Sequence, residues 1–367
     1  MTTAAGRAGV QDGSAPPRLS VVVRSFNRLP ALCELLAVLL GQDHDAFEIV
    51  VVEQSTVVPP AAALTLAALE HDRRLRVLRS RPLGGARARN VGVVATRGDV
   101  IVFIDDDDLP IGVDFLRAID ARFAADPRCL GLTVRHVWSE GASIGRTFRA
   151  LARRRCMRFS PLLRLPYTYA RHDQPVDRVD YVHGTGGAFR REVFARFGGW
   201  DEDTPVEDET SLGIRVSRGL LAGEHLCFDP TATLLRRMDL DGGLAKRKAG
   251  AAGYYRRFMT FIHHILGRYH PNRVRALYPL YVMAAWWATM SWIWSESNDH
   301  PTAGRRVLGA VGFSLALPYH ALRQMIGVDL GRQPGAGAGL AAAFADQPAP
   351  GSPRSARSAE RTLSPCV

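Results

Sequence analysis

Strand-like and helix-like runs alternate along the first third of this chain, and that alternation fixes the class of fold it can adopt. Leu19 to Val23, Glu48 to Val52, Leu75 to Leu78 and Val100 to Ile104 are short apolar or β-branched runs. Between them, Leu29 to Leu40, Ala61 to Leu69 and Ala86 to Ala95 read as helices, the first with Pro30 where an opening turn tolerates it. Strand, helix and strand in succession demand crossover connections. The expectation is an α/β fold: a Rossmann-like, mostly parallel sheet flanked by helices.

Val100-Ile101-Val102-Phe103-Ile104 reads as a strand buried on both faces, and four acids follow it directly: Asp105, Asp106, Asp107 and Asp108. Open α/β sheets bind ligands just beyond the carboxyl ends of such strands. Adjacent carboxylates repel one another, so keeping them ionised requires a counter-charge. A divalent cation with hard oxygen ligands supplies it and can hold phosphate in turn. The first strand delivers Arg24-Ser25-Phe26-Asn27-Arg28 to the same edge and the second delivers Glu53-Gln54-Ser55. A nucleotide fits that crevice, with Phe26 able to stack and Glu53 able to accept from a base N–H or a ribose hydroxyl; a plain solvated loop is the competing reading. Gly84-Gly85 opens a helix carrying Arg87 and Arg89, suited to a phosphate or base oxygen, although a tight turn accounts for the glycines equally well.

Further along, a helix is expected near Val113 to Ala125 and a strand at Leu130 to Val137. The arginine-rich stretch Arg146 to Arg164 reads either as a flap or as a solvated basic face. Tyr181 to Phe189 reads as a strand bent at small residues, against which a sugar ring can lie. Arg191 to Phe197 is a short helix, Gly198-Gly199-Trp200 a turn, and Glu207-Asp208-Glu209 precedes a helix around Leu212 to Val216. Asp208 has two readings, a helix cap or a general base that takes a proton from an incoming hydroxyl.

Past a basic, aromatic stretch from Lys246 to His264, the apolar run Leu277 to Trp294 lies near the lower limit for a spanning helix. Its tryptophans suit a membrane interface; a helix packed on the catalytic domain or in a dimer interface is the equal alternative. Leu308 to Met325, interrupted by Pro318, is a second apolar helix, and the pair reads as a hairpin at the cytoplasmic face of the membrane. The formal charge of +11 does not imply nucleic acid, because Lys246 and Lys248 are the only lysines and the arginine skew resembles codon bias. Five scattered cysteines, with no metal-site spacing, suit a reduced compartment. Residues 1–17 and 333–367 read as disordered ends around a catalytic domain over 18–240 and a helical extension over 241–332, which is membrane-associating in the interfacial reading.

In order and spacing, Leu19 to Asn27, Glu48 to Ser55, Ala88 to Gly92, Gly98 to Asp108, Gly184 to Arg191, Gly198 to Asp201 and Glu207-Asp208 resemble family 2 glycosyltransferases of the GT-A type. The resemblance runs from about Leu19 to Arg237. It implies an inverting, non-processive enzyme that moves a sugar from a nucleoside-diphosphate sugar to a glycan or lipid-linked hydroxyl acceptor in cell-envelope synthesis, on the cytoplasmic side of the plasma membrane. Ser25, Phe26 and Glu53 would hold the nucleoside, with Arg89, Asp105 and Asp106 completing the nucleotide site. Asp105 and Asp107 would form the D-x-D pair on Mg²⁺ or Mn²⁺, Asp107 as direct ligand, and Asp208 would be the base. Gly186, Gly187, Trp200 and Glu207 would line the donor and acceptor pocket. The chain departs from the family text at Arg24, where proline is common, and at Glu53-Gln54. It has no Q-x-x-R-W, and Leu234 to Arg237 stands where many relatives place a histidine. A nucleotidyltransferase acting on sugar phosphates, and a nucleotide-sugar binding protein without turnover, are the alternatives.

Overall fold

The computed structural model describes residues 17–138, 156–167, 173–203, 208–237, 240, 250–294 and 303–326. The expectations for both chain ends, for Glu207 and for much of the arginine-rich stretch lie outside these residues. Four strands, β1 (Leu19–Ser25), β2 (Phe47–Glu53), β3 (Leu75–Arg79) and β4 (Val100–Asp105), pair in parallel in the order β3-β2-β1-β4. They are joined by α1 (Leu29–Leu40), α2 (Pro60–Leu69) and α3 (Gly85–Ala95), each within a residue or two of the sequence expectation.

Beyond β4 the direction changes. The sheet continues through β10 (Gly187–Arg190), β6 (Cys129–Trp138), β11 (His225–Arg236) and β5 (Asp108–Ile111). β10 runs antiparallel to both of its neighbours, β6 and β11 run parallel, and β5 returns antiparallel on β11. A short strand, β9 (Val176–Val179), pairs with β11, and β7 (Arg158–Phe159) with β8 (Pro166–Tyr167) forms a separate ribbon. Tyr181 to Phe189 corrects the expected bent strand: only Gly187 onward joins the ladder. Residues 181–186 are irregular because their polar groups bond sideways, His183 N–H to Thr133 Oγ1 and Gly186 N–H to the Phe103 carbonyl.

Side chains alternate across the strands and so build a core on each face. Val21, Val23, Val51 and Val102 meet Leu32, Leu36, Phe115 and Phe123 from α1 and from α4 (Phe115–Ala125). Val22, Ile101, Phe103 and Phe189 meet Phe194 of α5 (Glu192–Phe197) and Leu212 of α6 (Asp208–Gly219). The second core does not stop there. α7 (Gly250–Phe261) continues through a π-helical turn, Ile262–Leu266, and then come α8 (Pro271–Ala276), α9 (Tyr278–Trp294) and α10 (Ala303–Ile326). Tyr255, Met259, Tyr281, Ala285 and Ile293 of this extension share the core with Phe194 and Trp200. Of the two readings of Leu277 to Trp294, packing on the domain is therefore realised on one helix face. No described helix is long and apolar enough to cross a membrane. Pro318 does not interrupt its helix, since α10 runs through it.

Candidate active site

Register brings the polar strand ends together. Ser25 lies beside Glu53 and Arg24 beside Asp105, so the last residues of β1, β2 and β4 form one edge. Asn27, at φ +55°, stitches the loops after β1 and β2: its Oδ1 accepts from Thr56 N–H at 2.8 Å, and its own N–H donates to Ser55 Oγ at 2.8 Å. Glu53 is buried and accepts the Ser55 N–H at 2.7 Å, while Phe26 stands 46% exposed at the mouth of the crevice. Gln54 is buried too, and its Oε1 accepts from Leu83 N–H at 2.8 Å. The solvated-loop reading of Glu53 and Gln54 is thus set aside.

The four aspartates make the turn between β4 and β5, and arginines surround them. Arg24 donates through both Nε and a terminal nitrogen to Asp105, at 2.8 and 3.0 Å. Arg28 bridges Asp106 at 2.8 Å and Asp107 at 2.9 Å, and Ser25 Oγ donates to Asp106 at 2.9 Å. Arg89 reaches Asp105 at 3.5 Å with its guanidinium 4.9 Å from the Trp200 ring centre. Gly85 makes room for this arrangement, because a Cβ there would fall 1.8 Å from an Arg24 guanidinium nitrogen.

Charge is balanced unevenly among these acids. Burial alone would raise the Asp105 carboxyl, but Arg24 and Arg89 outweigh it and hold it far below the usual range. Burial pushes Asp106 up to about 6, with Asp107 and Asp105 adding to the effect against Arg28 and Ser25. Asp108 is pushed up to about 7 by burial and by Asp107 and Asp105, against Arg236 and Thr185. Burial lowers the Arg236 guanidinium, yet Asp108, Asp105 and Asp107 more than restore it. Arg236 thus faces the acids from the end of β11.

One carboxylate oxygen from each of Asp105, Asp107 and Asp108 lies within 4.8 Å of the other two, and Oδ1 of buried Asp108 makes no hydrogen bond among the described residues. Hard oxygens gathered in this way fit Mg²⁺ or Mn²⁺. Asp108 therefore extends the expected Asp105 and Asp107 pair.

The second half of the chain supports this turn from below. Thr185 Oγ1 donates to Asp108 at 2.6 Å and accepts the Asp105 N–H at 3.1 Å. Gly186, at φ +63°, has no space for a side chain, since a Cβ would meet His136, Val134 and Leu234 within 2.8 Å. Gly187 is likewise closed off, by the His183 carbonyl at 2.2 Å. Packing accounts for both glycines without a sugar ring. Trp200 is fully buried against Phe103, and Arg89 lies between it and Asp105. Asn90 fixes Trp200 by accepting its N–H at 2.8 Å and donating to its carbonyl at 2.9 Å.

Asp208 opens α6, but its side chain is outside the described residues, as is all of Glu207. The adjacent Glu209 locates that helix start: its carboxylate lies 3.4 Å from where a Cβ on Gly184 would stand, and Arg89 approaches the same point at 3.0 Å. Sequence reasoning assigned the counter-charge to a cation alone and missed Arg28, Arg236 and Thr185. The demand for positive charge beside four acids was the one signal that pointed to the arginines.

A sequence model of the family described as glycosyltransferase like family 2 matches residues 16–252. Among curated proteins, the chain is 36% identical over 96 residues to the uncharacterized glycosyltransferase YwdF of Bacillus subtilis, covering 25% of this chain and 33% of the relative. It is 32% identical over 92 residues to glycosyltransferase GlyG of Streptococcus pneumoniae, covering 25% and 30%. The matched part thus spans about a third of those relatives. Among solved structures it is similar to mannosyltransferase PcManGT from Pyrobaculum calidifontis in complex with GDP-Man and Mn²⁺, at 20% identity, TM-score 0.49, and coverage of 85% of this chain and 87% of the other. It is also similar to S. aureus TarS 1-349 in complex with UDP-GlcNAc, at 12% identity, TM-score 0.48, and coverage of 84% and 90%.

Proposed function

This chain belongs to glycosyltransferase like family 2, and from that premise we propose that it transfers a sugar from a nucleoside-diphosphate sugar to a hydroxyl acceptor with inversion at the anomeric carbon. The observation that carries the reading is the convergence of Glu53, Ser25, the Asp105 to Asp108 turn and the start of α6 at one sheet edge. Phe26 and Glu53 take the nucleoside, by stacking and by accepting from a donor hydrogen. Arg28 and Arg89 lie where they can meet the diphosphate.

Asp105, Asp107 and Asp108 would hold a divalent cation, which supplies neutralisation of charge on the departing diphosphate. Asp208 takes the acceptor proton while the acceptor oxygen attacks from the opposite side, and a single displacement requires no enzyme nucleophile. Residues 18–240 form the catalytic unit in this proposal, and 241–332 its helical extension. The acceptor is a glycan or lipid-linked hydroxyl of the cell envelope.

Incubation with UDP- and GDP-sugars and Mn²⁺ tests the reading, with release of nucleoside diphosphate expected; no release from any of them, with pyrophosphate formed instead from a nucleoside triphosphate and a sugar phosphate, would identify nucleotidyl transfer. Asp208→Asn should lower turnover by roughly a thousandfold and leave donor affinity unchanged. Normal turnover in that variant would remove Asp208 from the role of base.

A further inference from the structure

α9 and α10 each bury one face and leave the opposite face both exposed and apolar. On α9 the buried stripe is Tyr281, Ala285, Thr289 and Ile293, and on the other side Leu280, Met283, Trp287 and Trp294 are open to solvent, Trp287 at 63%. On α10, Phe313 packs on Tyr255 while Leu308 and Leu315 are exposed, Leu315 at 79%. The two helices touch each other where Trp286 Nε1–H donates to Ser314 Oγ at 3.0 Å, so the outward faces belong to one packed unit. A helix on the surface of a soluble domain carries charged and polar residues on its outer face. From Tyr278 to Trp294 there is no charged residue at all. Exposed apolar side chains grouped on two touching helices mark an interaction site.

Charge identifies the partner. Residues 242–326 hold eleven lysines and arginines against two acids, Glu296 and Asp299, so most of the chain's formal excess of +11 sits in this one segment. Arg256 and Arg257 are exposed on α7, and Arg273 and Arg275 on α8, immediately before the α9 stripe. A second copy of the chain docking by this face would bring two strongly positive units together. An anionic lipid surface complements both properties, taking tryptophan and leucine into its interface and arginine against its headgroups. At 17 residues α9 is about 25 Å long, which suits lying in the interface rather than crossing it.

We propose that the outer faces of α9 and α10 dock this protein onto an anionic membrane surface. This goes beyond the transferase reading and does not depend on it, because the binding is measured without donor or acceptor. The full chain should co-sediment with vesicles made of equal parts phosphatidylglycerol and phosphatidylcholine, and far more weakly with phosphatidylcholine alone. Trp287→Ser combined with Leu315→Ser should lower the partition coefficient at least about tenfold on the anionic vesicles. Arg256→Glu combined with Arg275→Glu should lower it by a similar factor on the same vesicles. Both variants should keep the wild-type unfolding midpoint, which separates loss of docking from loss of fold. Three results would overturn the proposal. They are absence of vesicle binding by the wild type, wild-type binding by the Trp287 and Leu315 variant, or a wild-type dimer in solution that this variant dissociates, which would assign the face to a second copy.

Discussion

Two clusters of buried carboxylate and arginine lie on the same molecule, and they are balanced in opposite ways. At Asp201, one fully buried carboxylate meets Arg268 at 3.0 Å, the Tyr269 hydroxyl at 2.9 Å and Arg215 at 3.4 Å. Arg215 also donates to the Phe197 and Gly199 carbonyls, and Arg268 to Asp203. That cluster ties the Gly198 to Asp201 turn to the helical extension, with donors at least equal to acceptors. At Asp105 to Asp108, four acids share one turn, and two of them are pushed up to about 6 and about 7. The first cluster holds the fold together. The second crowds four acids against Arg24, Arg28, Arg89 and Arg236 and still leaves two carboxyls raised, which is the mark of a site shaped for function more than for stability.

The sharpest way to break this contrast is to neutralise the first cluster. Asp201→Asn leaves Arg215 without its carboxylate and Arg268 with Asp203 alone, and should destabilise the protein by about 3 kcal/mol, read as a lower midpoint in urea or heat. A change near zero would mean that the cluster is ornamental. In the second cluster Asp107→Ala should leave the unfolding midpoint nearly unchanged but weaken Mn²⁺-dependent nucleotide binding by roughly thirtyfold, measured by calorimetry.

Asp108→Asn sharpens the comparison through pH. The native carboxyl is raised from 3.8 to about 7, first by burial, so the folded state binds the proton more tightly than the unfolded state. Its favourable contribution is complete below about pH 4 and is lost as pH rises to about 7. The neutral asparagine should therefore gain stability over aspartate across that window, by on the order of 2 kcal/mol at pH 8 and almost none at pH 4. An equal difference at both pH values would contradict the placement of Asp108 in a crowded acid cluster. Phe26→Ala carries the smallest expected effect, about a fivefold loss of nucleotide affinity with stability unchanged, since its ring is half exposed and the proposed role is stacking alone.

The same division runs through what the sequence made legible. β1 to β4 and their helices could be bounded closely because strands buried on both faces announce themselves as unbroken apolar runs, and the acid turn was evident at the end of one of them. Residues 181–186 were misread because the small and apolar residues that suggest a strand are also what a tightly packed irregular segment needs. Thr185 could not be foreseen as the support of Asp108, 77 positions away, since that contact depends on β10 lying antiparallel beside β4. Arg28 and Arg236 were hidden for the same reason: which guanidinium faces which acid is decided by strand order and register. The apolar runs of α9 and α10 were visible, but the helix face each turns inward was settled only by packing against Tyr255 and Met259.

The most direct test of the central claim is a Mn²⁺ titration, followed by electron paramagnetic resonance, of the full chain with and without UDP or GDP. The account predicts a bound ion that is tightened by the nucleoside diphosphate and lost in Asp107→Ala combined with Asp108→Ala. Nucleotide binding that is equally strong without metal and in that double variant would contradict it.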